Sequence, residues 1–162
     1  MATLDEIEQL IGTIVCNCGL LEALTNTAIR KLATDKLLIA EILTIDFSRR
    51  INVLQRLLED RTKLPTEKVK SFCNQLSAIA TERNIVAHNP ILSESSHSND
   101  FHIIKLRGLT DATEVSNARM LTKKDLEDLR ERTSEALATL ESILVDAGIV
   151  KNLESAYQET KV

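Results

Sequence analysis

Apolar residues recur at steps of three and four along most of this chain, which is the spacing of one face of an α-helix. In the first segment the apolar stripe starts at Leu4, and Thr3 with Glu6 is typical of a capping box. The stripe continues through Ile7, Ile11, Ile14, Cys18, Leu21, Thr25, Ala28 and Leu32. The first segment is therefore predicted to be one long amphipathic helix.

Three further segments carry the same spacing. Residues 35–61 are predicted to form one continuous second helix, because apolar residues recur along most of that stretch. A third helix is predicted to open at Pro65, since proline is tolerated in a first turn, and to stop before Pro90. The capping residue Thr122 predicts the start of a fourth helix, and Gly148 predicts its end as the residue after the C-cap.

Between the third and fourth helices the spacing changes. Residues 91–93 and 101–107 read as extended segments, and the serine-rich residues 95–100 between them are typical of a turn. A small β-hairpin is therefore predicted in the region 91–107. A loop is predicted to follow it over residues 108–120.

The composition also favours helices. Hydrophobic residues make up 43% of the chain but aromatic residues only 2%, so Leu, Ile, Val and Ala supply the core, as in helix bundles. We predict an all-α fold, namely an antiparallel four-helix bundle with a small β-hairpin inserted between helices 3 and 4. A single domain is expected over residues 1–154, with a frayed tail over residues 155–162.

Charge and targeting signals narrow the classes of function. The net charge of −4 argues against a protein coated with basic side chains for sequence-independent nucleic-acid binding. Residues 1–6 lack the basic segment of a secretory signal, and no apolar run approaches the ~20 residues of a membrane span. We therefore expect a cytoplasmic protein that does not bind membranes.

The cysteines and the common binding motifs point away from cofactors. Cys16 and Cys18 lie two residues apart in a helical pattern and face opposite sides, so together with Cys73 we expect reduced thiols without chemistry. The sequence contains no dinucleotide fingerprint, P-loop or zinc-binding signature. No cofactor and no metal are expected.

The most informative stretch is Glu-Arg-Asn-Ile-Val-Ala-His-Asn-Pro at residues 82–90. Arg83 falls on the apolar stripe of the third helix, where burying a guanidinium costs several kcal/mol unless its donors find partners. Asn84 and His88 are four residues apart and so share one helix face, with Arg83 on the neighbouring flank. An arginine, an amide and a histidine that can be cationic near neutral pH form a set suited to binding phosphate.

This Arg-Asn-x-x-x-His spacing at the end of a third helix resembles the signature of the HEPN superfamily of four-helix domains. The resemblance implies a metal-independent endoribonuclease that acts as a homodimer on RNA, in a toxin or defence role, with a neutralising protein as a further partner. It implies that His88 acts as general acid or base, that Arg83 stabilises charge on the phosphorus oxygens, and that Asn84 orients the phosphate or His88.

Two sets of residues outside the motif are further candidates. Glu22 borders the apolar stripe of the first helix, so two interpretations stay open: a partner that orients Arg83 across the bundle, or a solvated flank residue. Residues 49–70 hold seven basic and three acidic side chains, which makes them either a weak RNA-backbone face or an ordinary solvated surface. The RNA-backbone candidates are Arg49, Arg50 and Arg56.

Other functions are compatible with the same pattern. The chain could be a non-catalytic helical module for dimerisation or interaction, with the Arg83–His88 region tying the bundle to the hairpin. It could also be a partner subunit of a separate nucleotidyltransferase, or a nucleotide-binding protein. A catalytic dimer would bring two copies of His88 together in an open cleft, whereas a structural role would seal Arg83 and His88 against fixed partners.

Overall fold

The computed structural model describes residues 4–88, 91–93, 101–104 and 120–151. Helices dominate these residues, and the fold class is all-α, as the sequence predicts. The helices are α1 (Leu4–Leu32), α2 (Lys36–Ile42), α3 (Phe47–Arg61), α4 (Thr66–His88) and α5 (Lys123–Asp146). The short strands are β1 (Ile91–Ser93), β2 (Phe101–Ile104) and β3 (Met120–Leu121).

The helix α1 occupies the centre of the packing, because it contacts α3, α4 and α5. The helix α4 also packs against α3 and α5, so the four long helices share one core. The buried residues of α1 are Ile7, Leu10, Ile14, Cys18, Leu21, Leu24, Thr25, Thr27, Ala28 and Ile29. They include most of the stripe predicted from the sequence, and Ile11 and Leu32 lie partly buried at its edges. Removing these side chains from water is the main stabilising contribution to the fold.

The prediction of one helix over residues 35–61 is wrong, because two helices occupy this stretch. Asp35 begins α2 as its N-cap and accepts a hydrogen bond from the backbone N–H of Leu37 at 2.9 Å. Asp46 then adopts an extended backbone and accepts a hydrogen bond from the N–H of Arg49 at 3.0 Å, which starts α3. The aspartate side chain accepts a hydrogen bond from a backbone N–H in the first turn of α3. In a continuous helix that N–H would instead bond to a backbone carbonyl of the preceding turn, so the aspartate favours a helix that starts anew after it.

The predicted boundaries of the third and fourth helices are confirmed, while the predicted cap at Thr3 lies outside the described residues. The helix α4 begins at Thr66, directly after Pro65, and α5 begins after a complete capping box formed by Thr122 and Asp125. After α5, Gly148 has a φ of +67°, the left-handed conformation that glycine adopts at the end of a helix.

The three strands form one antiparallel sheet in the order β1-β2-β3. Ile91 lies opposite Ile103, and Met120 lies opposite Ile104. The sequence analysis assigned Met120 to a loop, and its backbone instead pairs with β2. The predicted turn over residues 95–100, most of the predicted loop, and the predicted tail lie outside the described residues.

Within the described part of the chain, α1 is the one helix that is long and apolar enough to cross a membrane. The sequence analysis expected no such segment. The core helices of soluble proteins can have the same length and apolar composition. Because ten residues of α1 are buried within the fold, its apolar character does not by itself assign the helix to a membrane.

Candidate anion-binding cleft

A cleft of about 470 Å³ lies between α1, α3 and α4 and contains part of the predicted site. Its described lining residues are Cys18, Glu22, Asp46, Phe47, Ser48, Arg50, Ala80, Arg83 and Asn84. Phe47 and Ser48 are the first two residues of α3, so the N-terminal end of this helix borders the cleft. The partial positive charge at a helix N-terminus favours a bound anion.

Arg83 reaches this cleft from α4 and is half-buried. Its Nη1 donates a hydrogen bond to Oδ1 of Asn84 at 3.2 Å, while its Nε is buried without a hydrogen-bond partner. Among the described residues, none supplies a carboxylate within salt-bridge distance of Arg83. Within this part of the chain, the guanidinium therefore has no carboxylate that neutralises its charge directly.

Two nearby carboxylates are already engaged by other arginines. Glu82, the residue next to Arg83, forms an ion pair with Arg132 of α5. Glu22 of α1 forms an ion pair with Arg50 of α3, in which its Oε1 accepts from Nη2. The orientation of Arg83 by Glu22 that the sequence suggested is thus replaced by a pairing of Glu22 with Arg50.

Arg50 is held on three sides. Besides its contact with Glu22, its Nη1 donates to Oδ1 of Asn26 at 2.7 Å, and its Cζ lies 5.8 Å from the centre of the Phe47 ring. Its side chain is only 8% exposed, and its Nε is buried without a partner. The sequence analysis named Arg50 as a surface contact for RNA, whereas it is a buried residue of the cleft wall.

The remaining predicted residues lie outside the described lining of the cleft. His88 is the last residue of α4 and is exposed to solvent. Arg49 and Arg56 are exposed on α3, and Arg49 also pairs with Asp46 at 3.3 Å. The structure therefore brings Arg83, Asn84 and Glu22 together and leaves His88 accessible beyond them.

The cleft contains residues that the sequence analysis missed, namely Asp46, Phe47, Ser48 and the inward position of Arg50. One signal could have located Arg50. It lies four residues before Leu54 and eight before Leu58, which are both buried, and thus on the apolar stripe of its helix. Arg83 was located by its position on the apolar stripe of its helix. The same position of Arg50 was missed because residues 35–61 were treated as one helix.

Cys18 lines the cleft, and burial raises the pKa of its thiol to about 11. The charge of Arg83 opposes this rise in pKa and the charge of Glu22 adds to it. Both charges are therefore close enough to act on the same buried group. Cys73 is also buried, which raises its pKa to about 12, with a further contribution from Glu59.

These thiols give a test of the packing around the cleft. Because the thiolate is the reactive form, a raised pKa keeps Cys18 and Cys73 protonated and unreactive at neutral pH. We expect iodoacetamide at pH 8 to modify the exposed Cys16 in the folded protein, and Cys18 and Cys73 only after unfolding. Peptide mass spectrometry with and without urea would measure this, and equal labelling of all three thiols in the folded protein would contradict it.

No protein-family model matches the chain, and neither the curated proteins nor the solved structures include a significant match to it. Among the described residues, no group of three or more His, Cys, Asp or Glu side chains could hold a metal ion. An argument about function therefore starts from the chain's own residues, and above all from the uncompensated charge of Arg83.

Proposed function

We propose that this protein is a HEPN-like, metal-independent endoribonuclease that acts in the cytoplasm as a homodimer. The observation that carries the proposal is that Arg83 lines an open cleft in which no described carboxylate pairs with it, although Glu82 and Glu22 lie nearby. An arginine kept uncompensated on a helix that is otherwise packed into the core is suited to binding a negatively charged group. A toxin or defence role, with a neutralising partner protein, belongs to the same proposal.

The packing of the long helices supports the fold part of this proposal. Mutual contacts join α1 with α3, α4 and α5, and α4 with α3 and α5, as expected of a four-helix bundle. The short strands β1 and β2 lie between α4 and α5 in the chain and pair with each other, which supports the hairpin predicted between the third and fourth helices. We therefore propose the antiparallel four-helix bundle as the finer description of the all-α fold.

In the proposed reaction, the 2′-hydroxyl of RNA attacks the adjacent phosphorus. The 2′-oxygen–phosphorus bond forms as the bond from phosphorus to the 5′-oxygen breaks, leaving a cyclic phosphate and a 5′-hydroxyl. His88 takes the proton from the 2′-hydroxyl or delivers one to the leaving 5′-oxygen, and two copies in a dimer supply both functions. Arg83 stabilises the charge that develops on the phosphorus oxygens, with Asn84 holding its guanidinium.

Exposed arginines on α3 are suited to bind the RNA backbone. Arg49 and Arg56 lie on the helix that forms one wall of the cleft, and both are exposed to solvent. Contacts of this kind depend on the release of counterions, so the affinity for RNA is expected to fall as salt concentration rises. Arg50 is not part of this surface, because its guanidinium is buried in its own ion pair.

One observation favours the alternative of a non-catalytic interaction module. The short helix α2 has no buried residue, and its Leu37 and Leu38 side chains are 80% and 50% exposed. Adjacent exposed leucines are typical of a surface that binds another protein. This surface is compatible with a neutralising partner of a ribonuclease, and equally with a protein whose only function is association.

The proposal is tested by incubating the purified protein with single-stranded RNA in EDTA. We expect cleavage that yields cyclic phosphate and 5′-hydroxyl ends and is lost in Arg83→Ala, because the developing negative charge then has no cation beside it. Arg30→Ala, which removes an exposed arginine from α1, is the matched control and should retain activity. Undiminished cleavage by Arg83→Ala would rule out Arg83 as part of the site, and absence of wild-type cleavage would favour the interaction module.

A further inference from the structure

Two arginines line the described part of the cleft, but only Arg50 has a carboxylate partner. Arg50 binds Glu22 and Asn26 through its two terminal nitrogens, whereas Arg83 bonds only to the neutral amide of Asn84. Among the described lining residues, the cleft thus contains one arginine that is paired with a carboxylate and one that is not. The position of the Glu22 carboxylate decides which of the two arginines it neutralises.

We propose that Arg50 is a positioning residue whose ion pair with Glu22 prevents that carboxylate from neutralising Arg83. Arg83 then remains open to a phosphodiester group of RNA. The inference rests on the proposed function, because it concerns how the same cleft keeps its affinity for phosphate. It assigns to Arg50 and Glu22 a role that differs from direct contact with the substrate.

The burial of Arg50 supports this role. The Arg50 side chain is 8% exposed and therefore loses most of its hydration. A buried charge of this kind is tolerated only if an opposite charge and hydrogen bonds replace the lost water. The hydrogen bond to Asn26 at 2.7 Å and the ring of Phe47 fix the guanidinium, so Glu22 is bound in one position. Without Arg50, Arg83 is the remaining cation among the described lining residues to which Glu22 could turn.

The second carboxylate of the lining does not compete for Arg83. Asp46 caps α3, where it accepts a hydrogen bond from the N–H of Arg49 and also pairs with the Arg49 side chain at 3.3 Å. Glu82 is bound to Arg132 on the other side of α4. Glu22 is therefore the carboxylate whose partner controls the charge of the cleft.

Glu22 and Arg83 line the same cleft as Cys18, and the charges of both act on the pKa of its thiol. The charge of Arg83 lowers the pKa of the Cys18 thiol, while that of Glu22 raises it. Because both side chains line one cleft, Glu22 is placed to approach Arg83 once its ion pair with Arg50 is lost.

The experiment uses the full-length protein and a short fluorescein-labelled 2′-O-methyl oligoribonucleotide, which binds without being cleaved because it lacks a free 2′-hydroxyl. Fluorescence anisotropy gives its affinity. We expect Glu22→Gln to raise the affinity about threefold to tenfold, since two cations then face the cleft without a counter-charge. We expect Arg50→Met to lower it by a similar factor, because Glu22 then neutralises Arg83.

The double variant Glu22→Gln/Arg50→Met and the conservative variant Arg50→Lys separate positioning from stability. In the double variant no carboxylate remains to reach Arg83, so its affinity should return to that of the wild type. Arg50→Lys keeps a cation beside Glu22 and should also bind like the wild type. Thermal unfolding of each variant, followed by circular dichroism, restricts the comparison to folded protein, and Glu22→Gln with the double variant suffices if Arg50→Met does not fold.

Glu8→Gln is the matched control, because it removes one negative charge from an exposed position on the same helix. An equal gain in affinity from Glu8→Gln and Glu22→Gln would overturn the inference, since it would show only the effect of net charge. Unchanged affinity in Glu22→Gln would also overturn it. If RNA is not cleaved but the pattern of affinities holds, the ribonuclease proposal fails and the role of Arg50 stands. If RNA is cleaved but the pattern of affinities is absent, the ribonuclease proposal stands and the role of Arg50 fails.

Discussion

In the proposed ribonuclease, replacing His88 with alanine is expected to lower the rate of RNA cleavage by about 10²–10⁴-fold, the usual contribution of a general acid or base. His88 is exposed at the end of α4, so the substitution removes no core contact and should leave stability nearly unchanged. Affinity for the uncleavable oligonucleotide should also change little, because Arg83 and Asn84 remain in the cleft. A large loss of rate with preserved binding and folding would assign the proton-transfer step to His88.

The matched control for His88 is Lys70→Ala, at an exposed position near the other end of the same helix. The two positions are separated by about 27 Å along the helix axis, so this substitution should leave cleavage intact. His88→Gln is a second comparison, because glutamine forms hydrogen bonds but does not transfer protons at neutral pH. Full activity in His88→Ala would remove this residue from the proposed mechanism.

Replacing Leu21 with alanine is expected to lower the free energy of unfolding by about 2–5 kcal/mol. Leu21 is 0% exposed in α1, the helix that packs against the three other long helices. Its removal leaves a cavity that rigid neighbouring helices fill only in part, so lost contacts add to the lost hydrophobic burial. The loss would be a large part of the total stability of a domain of this size.

The adjacent residue Leu20 provides the control for Leu21, because the side chain is the same and 38% of it is exposed. We expect Leu20→Ala to change the unfolding free energy by no more than about 0.5 kcal/mol, as alanine also favours the helix. Urea denaturation followed by circular dichroism would measure both variants, with a similar dependence on urea in each. Equal losses from the two substitutions would contradict the burial pattern of α1.

The sequence predicted most helix boundaries because their signals are local. Proline directly before α4, the capping box at Thr122 and glycine after α5 each act within a few residues. The break between α2 and α3 was missed for the same reason. The apolar spacing continues through the break, and the helix is interrupted only because Asp46 adopts an extended backbone and caps α3.

The candidate site was predicted in part. The sequence located Arg83, Asn84 and His88 on one helix end, and it identified Glu22 as a residue of the same region. It did not identify the cleft wall contributed by α3, because that wall depends on how α3 packs against α1 and α4. The face of a helix on which a residue lies follows from local spacing in the sequence. The element that packs against that face depends on tertiary contacts between distant parts of the chain.

The sequence by itself determined the all-α class, the apolar stripes and the position of an arginine on one of those stripes. Only the tertiary structure decided that, within the described part of the chain, no carboxylate pairs with this arginine. The two ion pairs responsible join residues 28 and 50 positions apart in the chain, Glu22 with Arg50 and Glu82 with Arg132. The packing of the helices sets the distances between charges, and these distances select the partner of each carboxylate.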